Sequence, residues 1–473
     1  MTLLERPREL DGIAGTVLMP SDGGYDAARQ TFNGMLDKRP AVIVQCRSTG
    51  DVIAAVRAAR AAGLPVAVRG GGHSVAGHCV ADDALVVDLR HMRRVDVDPE
   101  RRIARAQGGS QWLDLDTATT AHGLATTGGT FVDTGIAGLT LTGGIGYLMG
   151  TSGFTCDTLV GAEVVTADGS VARAGDGGDP ELLWALRGGG GNFGVVTEFE
   201  YRLQPLGELQ HGRINVPIAH AHAGLEAAAA FAHELPDQLN MYVGSPSLDG
   251  PPDREPDPAI DPVVVAINLA FQGSATDAEA AIEPLRARLA MPGVTGGFRP
   301  ISYAELQSRT GILPFGLRHW WKGHFVRELD AAAIDAVVEA SLATPKGYSF
   351  LLIESITGRA RQEPDGGAAF GQREARWNMS ALGIWEDPAD DAANIAWVRQ
   401  FADALRPSSY SGAGYGNYAQ ADEPAERIRA SFGPDKYARL VQVKQRYDPD
   451  NVFRFNHNIP PADGLAELPL GRR

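Results

Sequence analysis

Cysteine is scarce in this chain: 473 residues hold only Cys46, Cys79 and Cys156. An odd and scattered set of that size excludes a disulfide framework, so each thiol needs its own reason. Long hydrophobic runs are missing too. Nowhere do enough apolar residues stand together to cross a bilayer, and the opening Met-Thr-Leu-Leu-Glu-Arg-Pro lacks the basic and apolar stretches of an export signal. The expected location is therefore the cytoplasm, with no membrane partner. Positive charge is also in deficit, 43 basic residues against 58 acidic ones for a net charge of −15, which argues against nucleic acid and anionic lipid and for a small-molecule ligand. Apolar content is ordinary at 44%, enough to bury the two or three domains that the length suggests.

Glycine, by contrast, is plentiful, and it is clustered. The run Pro-Val-Ala-Val-Arg-Gly-Gly-Gly-His-Ser-Val-Ala-Gly-His-Cys, from Pro65 to Cys79, places a short strand directly before Gly70, Gly71 and Gly72. Three successive glycines let the backbone approach a ligand closely, and exposed peptide N–H groups there form a concave site suited to a pyrophosphate, with the charge of Arg69 at its rim. His73 follows at once and can serve as a base, a metal ligand or a nucleophile. A metal held by His73, His78 and Cys79 is one rival, though no fourth ligand is evident and the triple glycine would be unneeded. A non-catalytic nucleotide binder is another.

Ala41 to Gln45 reads as a strand, Ser48 or Thr49 caps a helix that Gly63 ends, and the strand to Arg69 completes a β-α-β unit. Its glycines follow the second strand, whereas a Rossmann unit carries them after the first. Further strands are expected at 84–89, 102–106, 160–166 and 195–203, with helices from Ser110 to Gly123 and Pro180 to Leu186. The tract from Thr126 to Gly150 is too rich in glycine for a stable helix, and its threonines and amides suit phosphates and ribose. Gly189, Gly191 and Gly194 match G-x-G-x-x-G, but a helix precedes and a strand follows, the reverse of a dinucleotide motif. After Pro205 the texture changes. A Pro/Asp-rich loop at 249–262 leads to a strand at 263–271 and a helix at 277–289, and the cluster Arg318-His-Trp-Trp-Lys-Gly-His324 either walls a pocket or belongs to a core.

Together, Val-Arg-Gly-Gly-Gly-His-Ser, Thr-Gly-Gly-Ile-Gly, Gly-Phe-Thr-Cys-Asp, Trp-Ala-Leu-Arg-Gly-Gly-Gly-Gly-Asn-Phe-Gly and Tyr-Asp-Pro-Asp-Asn-Val-Phe resemble the berberine bridge enzyme-like flavoproteins of the vanillyl-alcohol oxidase/PCMH-type superfamily. The resemblance is strong over about residues 35–205 and 410–461. It implies an α+β fold: a PCMH-type FAD-binding domain of two α/β subdomains at 1–205 (core 36–205), a substrate domain at 206–407 with an antiparallel sheet and flanking helices, and a segment at 408–473 returning to the FAD domain.

The same resemblance implies FAD linked covalently to both His73 and Cys156. Cofactor contacts are expected from Arg69, Gly70, Gly71, Gly72, Ser74, Gly77, Gly129, Gly138, Thr142, Gly143, Gly146, Val196 and Asn456. Tyr415-Gly-Asn-Tyr418 matches the family's Tyr-x-Asn-Tyr, making Tyr418 the catalytic base, its phenol near-ionised by a neighbouring cation or second tyrosine. Trp320, His324 and Tyr415 are the candidate substrate contacts. The implied reaction is oxidation of an alcohol or hemiacetal of a sugar, glycoside or secondary metabolite by hydride transfer to flavin, with dioxygen reduced to hydrogen peroxide. An amine or hydroxynicotine-type oxidase, or a flavin dehydrogenase using another acceptor, is the alternative.

Overall fold

The computed structural model describes residues 6–245, 264–309, 311, 314–345 and 347–461. The Pro/Asp-rich loop expected at 249–262 lies outside them. The β-α-β unit forms as its residues dictate. Val42–Gln45 is buried, the Ser48 hydroxyl accepts the Asp51 amide at 3.2 Å to start the helix Thr49–Ala62, and Gly63 ends it in the left-handed region at φ 65°. Val66–Arg69 then pairs in parallel with Leu85–Asp88, which pairs with Val42–Gln45, and Thr16–Leu18 closes this four-stranded sheet antiparallel at its edge.

A second, antiparallel sheet runs in the order Val95–Asp98, Ile103–Gln107, Val195–Arg202, Leu159–Val165, Val171–Gly175. Between its strands, the glycine-threonine tract does contain helix: Ile136–Leu141 and Met149–Ser152. Burial of Ile136, Thr140 and Leu141 overrides the glycine content, and the Thr140 hydroxyl donates to the Ile136 carbonyl at 2.6 Å.

The third sheet has seven antiparallel strands, in the order Thr295–Pro300, Leu209–Pro217, Val264–Gln272, Leu239–Ser245, Phe350–Ser355, Trp377–Trp385, Arg318–Val326. The helices Ala221–Phe231, Ala275–Arg288, Ala331–Leu342 and Asp391–Ala404 bury their apolar stripes against one face. The other face carries Tyr242, Trp321, Phe325, Leu352 and Leu382 toward the glycine-rich segments. The last helix, Pro434–Tyr447, packs Leu440 and Val443 into the core of the second sheet. Its buried Lys444 ion-pairs with Asp448 and donates to the carbonyls of Asn192 and Phe453, tying the chain end to the 188–194 glycine loop. Among the described residues no helix is long and apolar enough to cross a membrane.

Candidate active site

One cavity runs between the three sheets. Its walls include Val66 and Val68 of the first sheet, Val196 of the second, Trp321 of the third, and Tyr415 to Ala419, Asn456 and His457 from the chain end. Gly70, Gly71, Gly72, His73, Ser74, Gly129, Gly138 and Thr142 line it as well. Glycine is required at Gly71, where a Cβ would stand 2.5 Å from the backbone of Gly135, so two main chains meet with no room for a side chain. On residues that line the cavity, His73 Nε2, His78 Nε2 and Asn456 Oδ1 are buried without a hydrogen-bond partner. A glycine-walled trough with uncommitted polar atoms and bare main chain suits a large, flat, polar-ended group, and these residues fit FAD.

His73 is clamped. Its ring stacks on Phe32 with centroids 3.7 Å apart, and its Nε2 lies 3.8 Å from Asp133 Oδ2. Burial lowers its pKa to about 4, so the imidazole is neutral and can act as a nucleophile.

Several expected residues lie elsewhere. Arg69 does not reach the cavity: its guanidinium donates to the carbonyls of Ala28 and Gln30, bracing the strand end from outside. Gly77, Gly143 and Gly146 do not line the cavity either; each is glycine for a local reason. Gly77 and Gly143 take φ of 67° and 123°, and a Cβ at Gly146 would meet the Gly128 carbonyl. Cys156 is fully buried away from the cavity, its Sγ 3.6 Å from Asp157 Oδ1, and burial beside that carboxylate pushes the thiol well above its ordinary range. Burial thus keeps the thiol protonated, and it is not among the residues that line the cavity. Cys79 does line the cavity, but its thiol is also raised by burial.

Trp320 and His324 are out by one residue. Along Arg318–Val326 side chains alternate, so Trp320 packs toward the helices and His324 meets Ser409, while His319 and Trp321 take the inner face. Trp321 reaches the cavity; His319 stops beneath it, stacked on the far side of Phe32. Among the described residues no group of three or more His, Cys, Asp or Glu side chains is placed to hold a metal.

Tyr415 and Tyr418 share the inner end, their rings edge to face at 4.8 Å. Tyr415 holds a fixed position, its phenol oxygen accepting from the amides of Gly144 and Ile145 and from Asn417 Nδ2. Tyr418 sits edge-on to Trp321, and its hydroxyl donates to Glu354 Oε1 at 3.2 Å. Here the structure corrects the expected near-ionised phenol. Burial, then the Glu354 carboxylate, raise the Tyr418 pKa well above its ordinary value, so the phenol keeps its proton.

Glu354 is the partner that sequence reasoning missed. It is 1% exposed, accepts from Asn378 Nδ2 at 2.6 Å, and burial raises its pKa to about 8. The available signal was a lone acid inside the otherwise apolar run Phe350-Leu-Leu-Ile-Glu-Ser-Ile356.

Comparison with known proteins fits this geometry. The FAD binding domain family matches residues 40–175, and the berberine and berberine-like family matches residues 414–460. The chain is 32% identical over 462 residues to (R)-6-hydroxynicotine oxidase of Paenarthrobacter nicotinovorans, covering 95% of this chain and 97% of that one. It is 40% identical over 494 residues to the FAD-linked oxidoreductase pgmH of Aspergillus terreus, covering 95% and 94%. Among solved structures, 6-hydroxy-D-nicotine oxidase from Arthrobacter nicotinovorans superposes with a TM-score of 0.81 at 29% identity, over 94% of this chain and 98% of that one. Glucooligosaccharide oxidase from Acremonium strictum shares the fold at a TM-score of 0.83 and 22% identity, over 94% and 97%. A relative 32% identical along nearly its whole length, a C-terminal berberine-like segment and a glycine-walled cavity that fits FAD lead to one conclusion: the chain belongs to the berberine bridge enzyme-like FAD-linked oxidoreductases, within the PCMH-type flavoenzyme superfamily.

Proposed function

We propose that this oxidoreductase is an oxidase of a hydroxyl-bearing carbon, an alcohol or hemiacetal of a sugar, glycoside or aromatic secondary metabolite, with dioxygen as the electron acceptor. The observation that carries the reading is the Tyr418–Glu354 pair at 3.2 Å, set at the cavity wall beside Trp321. FAD in this cavity supplies the acceptor for the hydride that leaves the substrate carbon. The protein's part is the proton. A hydroxyl proton must depart as hydride leaves, because the oxygen becomes alkoxide-like in the transition state. Tyr418 takes that proton on its phenol oxygen while releasing its own to Glu354. The relay removes the need for a phenolate: the high phenol pKa, unhelpful in a free base, is matched to an alkoxide, and the carboxylate behind it is the final acceptor. The Trp321 indole offers an aromatic surface for a sugar or ring to stack on, and Tyr415, locked by its three donors, holds the 415–418 turn in place.

FAD is proposed to be linked at His73 alone, in a binding unit formed by residues 1–205 with 408–473, while residues 206–407 supply the substrate wall. Removing the Tyr418 hydroxyl tests the mechanism. Tyr418→Phe keeps the flavin and its spectrum, and its anaerobic reduction by substrate slows by ~10²–10⁴-fold, the usual contribution of a general base. Reduction at the wild-type rate would make Tyr418 a packing residue.

A second reading, an amine substrate, is favoured by the chain's similarity to (R)-6-hydroxynicotine oxidase. A peroxide-release screen of sugars and alcohols against cyclic amines separates the two: turnover of amines alone would replace the hydroxyl chemistry proposed here.

A further inference from the structure

We infer that Asp133 is the positioning residue for covalent attachment of FAD to His73, accepting the imidazole Nε2 proton so that the other ring nitrogen can form the bond. The inference rests on the proposed single link at His73. Two kinds of contact fix that ring. Phe32 stacks on its face with centroids 3.7 Å apart and is itself backed by His319 at 4.1 Å, so the imidazole plane is set. Stacking sets the ring plane but not which way round the ring is flipped about its Cβ–Cγ bond, and a directional contact at the ring edge chooses which nitrogen faces the cavity. Asp133 supplies it. Its Oδ2 is 3.8 Å from His73 Nε2, both side chains are largely buried at 13% and 9% exposure, and neither Nε2 nor Asp133 Oδ1 has a hydrogen-bond partner.

A buried imidazole nitrogen with no hydrogen-bond partner is costly unless a nearby group serves it, and the carboxylate 3.8 Å away is placed to do so. A neutral imidazole with its proton on Nε2, turned to a carboxylate, presents a lone pair on Nδ1. Attachment then balances as follows. One C–N bond forms between Nδ1 and the 8α methyl carbon of bound FAD, one C–H bond of that methyl and the Nε2–H bond break, and Asp133 receives the imidazole proton. The two electrons released reduce the flavin and pass to dioxygen, which leaves as hydrogen peroxide with the two protons. Without Asp133 the new bond would place a full positive charge on a ring buried between aromatic groups.

The test uses full-length protein made in a riboflavin-limited host and then mixed with FAD under air. Samples are acid-precipitated at intervals, and protein-bound flavin is read by absorbance and intact mass. Non-covalent FAD affinity is measured separately by fluorescence at the earliest times. Asp133→Asn is expected to bind FAD as the wild type does and to attach it on the order of 10²-fold more slowly. Asp133→Glu recovers part of the rate, and Asp133→Ser, which removes the carboxylate without added bulk, repeats the loss independently. Attachment at the wild-type rate in Asp133→Asn and Asp133→Ser overturns the inference, as does parallel loss of FAD affinity, which would mark Asp133 as structural. If the wild type itself releases all its flavin into acid, the covalent reading at His73 falls, and this inference with it.

Discussion

Glu354 links the site's chemistry to its stability through one proton. Its folded-state pKa of about 8 lies above the ordinary 4.5, so between those values the folded protein holds a proton that the unfolded chain has released. Unfolding in that window releases a proton, and stability therefore falls as pH rises, by up to ~1.4 kcal/mol per pH unit from this group. Glu354→Gln should flatten the slope of unfolding free energy against pH by about that amount, measured by denaturant titration at several pH values. Activity runs the other way, since only the carboxylate can accept the relayed proton: flavin reduction should climb with pH toward about 8, and the Gln variant should lose the rise. An unchanged profile in the variant would remove Glu354 from the relay. Cys156 provides the complementary expectation. Cys156→Ser should retain all acid-stable flavin by intact mass, because the thiol lies outside the cavity against Asp157; loss of half or more of it would restore the second link. The place of His73 on the cavity was legible because Gly70, Gly71, Gly72 and Ser74, which line the cavity with it, are its neighbours in sequence. Glu354 was not, because its meaning comes from Tyr418, 64 positions away, and Asn378 on the adjoining strand.

Elements were read well where their signals are local. The helix Thr49–Ala62 has a Ser48 cap, an acidic first turn and a Gly63 stop, and each is present as the residues imply. Faces were read less well. In Arg318–Val326 the inner face belongs to His319 and Trp321, not to the expected Trp320 and His324. Strand parity depends on register with Trp377–Trp385, a partner more than fifty residues away that no local pattern fixes. The short helix Ile136–Leu141 escaped for a related reason, since tertiary burial supplies what propensity withholds. One prediction belongs to these connections. Arg373 makes a bidentate pair with Asp157, with distances of 2.6 and 3.0 Å, and also donates to the carbonyls of Ala360 and Gln362. It thereby joins the loop after Phe350–Ser355 to the one-turn helix Thr155–Thr158. Arg373→Met should destabilise the protein by about 3–5 kcal/mol, because Asp157 is left buried and unpaired. Adding Asp157→Leu should recover much of that loss by replacing both charges with apolar groups, and a double variant no more stable than the single one would show that the backbone contacts dominate.

At the scale of the whole molecule, the cavity joins parts that share little else. Strand residues of the three larger sheets and the chain end contribute to its lining, with Val66, Val196, Trp321 and Asn456 drawn from widely separated positions. An occupant that touches every part should behave as a structural element. Ligand that binds only the folded state raises stability by RT ln(1 + [L]/Kd), about 2.7 kcal/mol at a hundred times Kd. A covalent occupant differs in kind: it remains attached on unfolding, so free cofactor has nothing further to bind. The melting temperature of the wild type should accordingly not respond to added FAD. His73→Ala, which retains the trough of Gly70, Gly71 and Gly72 but lacks the nucleophile, should melt lower without FAD and climb steadily as FAD is added. The two curves are obtained by scanning calorimetry across a range of FAD concentrations, with flavin content checked before and after each scan. A wild-type melting temperature that climbs in parallel with that of His73→Ala would mean that FAD is held by the trough alone, and that the imbalance of buried polar atoms around His73 has another cause.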